Sequence, residues 1–114
     1  MIDTEILIIG GGAAGLTAAI ELSQDRKVSV ISKEKIVDSS TWYAQGGIAA
    51  VMGEKDSIEE HISDTLEVGD GICNKNAVSH CVKNSKAAIN WLIEMGVNFT
   101  KTKDGEKLHL TQEG

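Results

Sequence analysis

Apolar residues follow two different rhythms along this chain. In T-E-I-L-I-I-G (4–10) they run unbroken between polar residues and a glycine, as in a buried parallel strand. Over 13–24 they change period, with Leu16, Ala19, Ile20 and Leu22 near helical spacing. K-V-S-V-I-S (27–32) returns to a β-branched strand pattern. Strand, helix and strand in this order predict two parallel strands joined by a right-handed crossover, the first unit of a doubly wound α/β fold. The stretch 38–53 has neither period and is rich in Gly, Ala and Ser. Residues 56–71 then read as a helix, with Asp56 or Ser57 as its cap, acids in its first turn and Gly69 or Gly71 at its end. A longer helix is predicted over 75–96, where Val78, Cys81, Val82, Ala88, Ile89, Leu92 and Ile93 mostly recur every three or four residues and Gly96 suits a C-terminal cap. Alternating residues around Asp104-Gly105 predict a β-hairpin over 97–110.

Composition narrows the classes of function. The 114 residues suffice for one small domain with a modest core. A net charge of −6 argues against nucleic acid as a partner, because phosphate-backbone binding draws on clustered Lys and Arg. No apolar run approaches the roughly 18 residues of a membrane span, and the N-terminus carries acids where a secretory signal carries positive charge, so the expected location is the cytoplasm. Cys73 and Cys81 lack metal-binding or redox spacing, and are expected to be buried reduced thiols. K-L-H-L-T-Q-E-G stops directly after a possible strand, so the chain either ends in a loop or is a piece of something longer.

Between the first predicted strand and helix lies G-x-G-x-x-G, formed by Gly10, Gly12 and Gly15. In that context the string carries a mechanism. The first glycine permits a tight turn, the second lets a pyrophosphate approach the backbone, and the third lets helix and strand pack closely. N–H groups at the helix start then meet the negative charge. The acid expected at the end of the second strand, to hold ribose hydroxyls, is replaced by Ser32 with Lys33 beside it. A serine hydroxyl still bonds ribose, but the acidic clamp of an ordinary NAD dehydrogenase is missing. Lys33 either faces a phosphate or is solvated.

The stretch S-T-W-Y-A-Q-G-G-I-A-A-V (40–51) is a second departure from a plain loop. It sets Trp42 and Tyr43, two of the four aromatics in the chain, beside an amide and a Gly-Gly pair. Glycines and alanines let main-chain N–H groups approach a flat ring that bulkier side chains would hold away. Trp42 and Tyr43 themselves are expected to pack in the core behind the loop.

Taken together, I-L-I-I-G-G-G-A-A-G-L-T-A-A-I-E-L, V-I-S-K and S-S-T-W-Y-A-Q-G-G-I-A-A-V resemble the flavoproteins of the fumarate reductase and succinate dehydrogenase family. Within it, the 40–51 block, D-S-I-E-E-H-I-S-D-T-L-E-V-G-D-G-I-C-N and A-A-I-N-W-L-I-E-M-G-V-N-F are similar to the L-aspartate oxidase branch. The resemblance runs along nearly the whole chain. It implies an α/β fold that is the N-terminal part of a Rossmann-like FAD-binding domain: βαβ unit, flavin loop, two helices and β-hairpin. The cofactor implied is FAD, with its pyrophosphate against Gly10, Gly11, Gly12, Ala13, Ala14 and Gly15. Adenosine would lie near Ser32 and Lys33, and the ring beside Ser40, Thr41, Ala44, Gln45, Gly46 and Gly47. Respiratory members carry a covalently bonding His in an S-H-T segment; here Ser39-Ser40-Thr41 puts serine in that place, which implies noncovalent FAD. H-L-T-Q-E-G resembles the family's T-R-E-G-G, with Gln112 in place of Arg. Glu113 is therefore a candidate partner for a substrate ammonium, or else a solvated acid.

For a complete enzyme the resemblance implies oxidation of L-aspartate to iminoaspartate, with oxygen or fumarate as acceptor. The product would pass to quinolinate synthase in de novo NAD synthesis. The family's capping domain and catalytic Arg and His residues come from later sequence, so residues 1–114 are expected to be inactive alone and to hold no catalytic residue. A respiratory fumarate or succinate flavoprotein and a non-catalytic dinucleotide-binding piece are the alternatives. His61, His80 and His109 are expected to be structural or on the surface.

Overall fold

The computed structural model describes residues 3–44 and 46–111, which cluster into two compact units, Met1–Gly47 and Ile48–Gly114. In the first unit β1 (Ile6–Ile9), α1 (Ala13–Leu22) and β2 (Val28–Ile31) follow in the predicted order. The strands pair in parallel, from Ile6 opposite Val28 to Ile9 opposite Ile31. The Gly10 N–H donates to the carbonyl of Ile31 at 2.8 Å, carrying the pairing one residue past β1 into the glycine turn. At the other end the Thr4 hydroxyl donates to the carbonyl of Lys27 at 2.9 Å.

Side chains of β1 alternate. Ile6 and Ile8 are half-buried, whereas Leu7 and Ile9 are exposed. The fully buried strand expected of an unbroken apolar run is thus covered on one face only. α1 supplies that cover, and the approach is close: a Cβ on Gly15 would lie 3.4 Å from Ile8 Cγ2. In α1 Gly15, Leu16, Ala18 and Ala19 are half-buried, while Ile20 and Leu22 are exposed. Glycine is required where the helix meets the turn and Ile8, and Leu16 fits one residue further on.

In the second unit α2 (Ile58–Val68) and α3 (Lys75–Glu94) pack together. Of the two proposed caps for α2, Ser57 takes the role, its hydroxyl accepting from the Glu60 N–H at 3.1 Å. Asn74 caps α3, accepting from the N–H groups of Asn76 and Ala77. α2 stops at Gly69, and the chain turns through left-handed backbone at Asp70 (φ 42°) and Gly71 (φ 85°). Gly96 (φ 93°) follows the end of α3 in the same conformation, as its glycine predicts.

Val82 and Ile89 are the buried hydrophobic residues among those described. With half-buried Val78, Ser85 and Leu92 they form one seam along α3, alternating four and three residues apart. Ala88, Ile93 and Cys81 fall beside that seam and are exposed, which corrects three positions of the expected stripe. The expectation of two buried thiols fails with it: Cys81 is exposed and Cys73 half-buried. The Cys73 thiol sits over the last turn of α2, 3.7 Å from the carbonyl of Thr65. A Cβ on Gly69 would overlap its sulfur, so this glycine makes room for the thiol.

The predicted hairpin is present as a tight turn with one antiparallel bridge, Lys101 to Leu108. The Thr102 N–H donates to the carbonyl of Lys107, and His109 N–H to that of Thr100, both at 2.8 Å. Asp104 organises the turn by accepting from the Thr102 hydroxyl and the Glu106 N–H, and these bonds hold its carboxyl below the usual range. No helix among the described residues is long and apolar enough to cross a membrane.

Candidate dinucleotide site

The glycine turn runs into a helix start that has no side-chain cap of its own. Gly10 adopts φ 121°, a region that side-chain-bearing residues rarely enter. Gly11 is buried, and a Cβ there would stand 3.2 Å from Ser32 Oγ and 3.4 Å from Ile36 Cγ1. Gly12 is the N-cap of α1 in extended backbone and offers no side-chain cap; the first turn carries no acid. A Cβ on Gly15 would overlap the carbonyl oxygen of Gly10, so only glycine allows the turn and helix to meet. Helix geometry leaves the N–H groups of Ala14 and Gly15 without intrahelical acceptors. A bare, acid-free helix start of this kind suits a bound anion, and the missing side chains leave space for one to approach the backbone.

The second half of the candidate site is a knot of short-range bonds after the 3₁₀ turn Ile36–Asp38. Ser39 builds it twice over. Its hydroxyl accepts from the Trp42 N–H at 3.2 Å, and its carbonyl accepts from the Tyr43 N–H at 3.1 Å. The Tyr43 hydroxyl donates to the Asp38 carboxylate at 3.1 Å. From this knot Thr41 reaches back 28 residues, its hydroxyl oxygen accepting from the Ala13 N–H at 3.2 Å. Gly46, at φ 100°, follows with open space where a Cβ would be, and Gly47 has the same openness.

Thr41 therefore meets Ala13, and Ser32 meets Gly11. Lys33, Ser40 and Ala44 are exposed, while Gln45 and Glu113 lie outside the described residues. Trp42 and Tyr43 overturn the expectation of core packing, at 64% and 65% exposure. The loop is held by backbone and hydroxyl bonds, the Tyr43 hydroxyl on Asp38 among them, so neither ring has to be buried to anchor it. Sequence reasoning missed the bonding roles of Asp38 and Ser39; a serine three residues before a turn N–H is the signal that finds the second. Of the histidines, His61 is half-buried on the face of α2 that meets α3, and His80 and His109 are exposed.

The model of the FAD binding domain family matches residues 5–114. The chain is 47% identical over 114 residues to an L-aspartate oxidase of Yersinia pestis, covering 97% of this chain and 21% of that protein. An L-aspartate oxidase of Pseudomonas aeruginosa is 43% identical over 116 residues, covering 96% and 22%. Among solved structures, a mutant of E. coli quinol fumarate reductase aligns with TM-score 0.86 at 33% identity, covering 96% of this chain and 19% of that one. The chain thus spans about a fifth of the length of the curated relatives it matches.

Proposed function

Because the chain belongs to the FAD-binding domain family of flavoprotein oxidoreductases, we propose that it is the FAD-binding portion of an L-aspartate oxidase. Its cofactor is FAD. The observation that carries the reading is the Thr41 to Ala13 bond, which joins the segment leading to Gly46 and Gly47 to a helix start with no side-chain cap of its own. In this reading Gly10, Gly11, Gly12, Ala13, Ala14 and Gly15 seat the pyrophosphate, and Ser32 and Lys33 lie at the adenosine. Ser40, Thr41, Ala44, Gln45, Gly46 and Gly47 border the ring. Glu113 is the partner of the substrate ammonium.

FAD, when bound, supplies the two-electron acceptor chemistry. The residues present bind and orient it. Backbone N–H groups at the start of α1 offset phosphate charge, and the glycines keep side chains out of the cofactor's path. None of residues 1–114 is assigned to proton transfer. The complete enzyme would oxidise L-aspartate to iminoaspartate in the cytoplasm, passing electrons to oxygen or fumarate. Its product would go to quinolinate synthase in NAD synthesis. The higher identity to aspartate oxidases than to the fumarate reductase neighbour supports this over a respiratory role.

Ser40 supports noncovalent attachment, since it offers no imidazole to bond the ring. The test is to load the chain with FAD, record its visible spectrum, then precipitate the protein with acid. Flavin bands that appear on binding and leave with the supernatant are the expected result. Colour retained by the washed pellet would contradict noncovalent binding, and a chain that takes up no FAD would refute the FAD reading itself.

A further inference from the structure

We infer that Thr41 is a positioning residue that couples the two halves of the cofactor site, so that the loop bordering the ring is set in place by the start of α1. The inference rests on the FAD reading above. Three observations carry it. α1 has no cap of its own, because its N-cap is Gly12. The Ala13 N–H, first in the helix, is instead bonded to Thr41 Oγ1 at 3.2 Å, a residue distant in sequence. Finally, the 39–44 segment is tied internally through Ser39, which accepts from both Trp42 and Tyr43, and through Ala44 N–H donating to the Thr41 carbonyl at 3.4 Å. Thr41 is thus the residue at which a self-bonded loop meets the helix start.

A Cβ on Gly12 would lie 3.5 Å from the Thr41 hydroxyl, ordinary contact distance. The hydroxyl therefore stands on the side of Gly12 where a side chain would begin, bonded to the Ala13 N–H next to it. One side chain thereby fixes where the loop stands relative to the pyrophosphate seat. Losing the hydroxyl leaves the Ala13 N–H free and lets the knot shift as a body. A ligand that spans both halves is then penalised more than one that occupies the helix end alone.

The test compares the unaltered chain with Thr41→Val and Thr41→Ser, titrated with FAD and with ADP. ADP carries the adenosine and pyrophosphate without the ring. Valine matches threonine in shape but accepts no hydrogen bond, and Thr41 is exposed, so the fold tolerates it. Thr41→Val is expected to weaken FAD binding about fivefold, the worth of one neutral hydrogen bond, while ADP binding changes less. Thr41→Ser is expected to restore the FAD to ADP ratio. Equal losses for the two ligands would reduce Thr41 to a helix cap, and no loss at all would equally overturn the inference. If the unaltered chain binds ADP but not FAD, or binds neither, the FAD reading fails and takes the inference with it. Amide exchange at Ala13 in the ligand-free chain is the second reading: protection lost in Thr41→Val and kept in Thr41→Ser supports the bond, and equal rates in all three proteins exclude it.

Discussion

The glycines of the 10–15 turn and the 46–47 pair look alike in sequence but stand in unlike surroundings. Gly15 has the carbonyl of Gly10 where a Cβ would go, whereas Gly47 faces open space. Gly15→Ala is therefore expected to cost about 1–3 kcal/mol of stability through overpacking. Gly47→Ala is expected to move it by less than about 0.5 kcal/mol. Urea denaturation of both variants separates the cases, and equal midpoints would show that α1 can lift off β1 without penalty. The task of Gly15 was legible in the sequence because strand, turn and helix are neighbours along the chain. The bond from Thr41 was not, because nothing local in S-S-T announces an acceptor for a helix 28 residues earlier. Trp42 and Tyr43 misled for a related reason. Their size argues for burial, but they join the knot through their N–H groups and the Tyr43 hydroxyl while their rings stay exposed.

Helices and strands were legible to within two residues, except at the end of α2, which stops three residues before the predicted 71. Ser57 and Gly96 mark real ends, the first by bonding and the second by left-handed backbone, whereas the Asn74 cap of α3 emerges only in the structure. Periodicity was less decisive for which residues face inward. On α3, Ala88 and Ile93 fit a three-or-four spacing as well as Ser85 does, yet the seam runs through Ser85 because the four-three alternation from Val78 to Leu92 keeps one line against α2. The distinction is measurable. Ile89→Ala is expected to cost about 2–4 kcal/mol, since it empties one of the buried positions. Ile93→Ala, at an exposed position, is expected to cost less than about 1 kcal/mol. Thermal melts followed by circular dichroism at the helical band test the pair, and similar losses would place the seam elsewhere.

At the scale of the whole chain, the described residues leave apolar side chains open to solvent. Leu7, Ile9 and Ile31 are exposed on the two-stranded sheet, with Ile9 at 83%. An open strand with apolar side chains invites pairing with another chain. Ile9→Thr keeps β-branching and removes little buried area, so it is expected to leave the melting temperature nearly unchanged while reducing self-association. Sedimentation velocity across a concentration series checks this, and unchanged association would clear the strand of responsibility. Time adds a last consequence of the bond between Thr41 and Ala13. A ten-residue helix is too short to persist alone in water. At synthesis rates of roughly 5–20 residues per second, Thr41 leaves the ribosome roughly one to six seconds after the residue it caps. For that interval the start of α1 leans on β1 and β2 alone as they too emerge, and the helix receives its cap only after both strands are available to hold it.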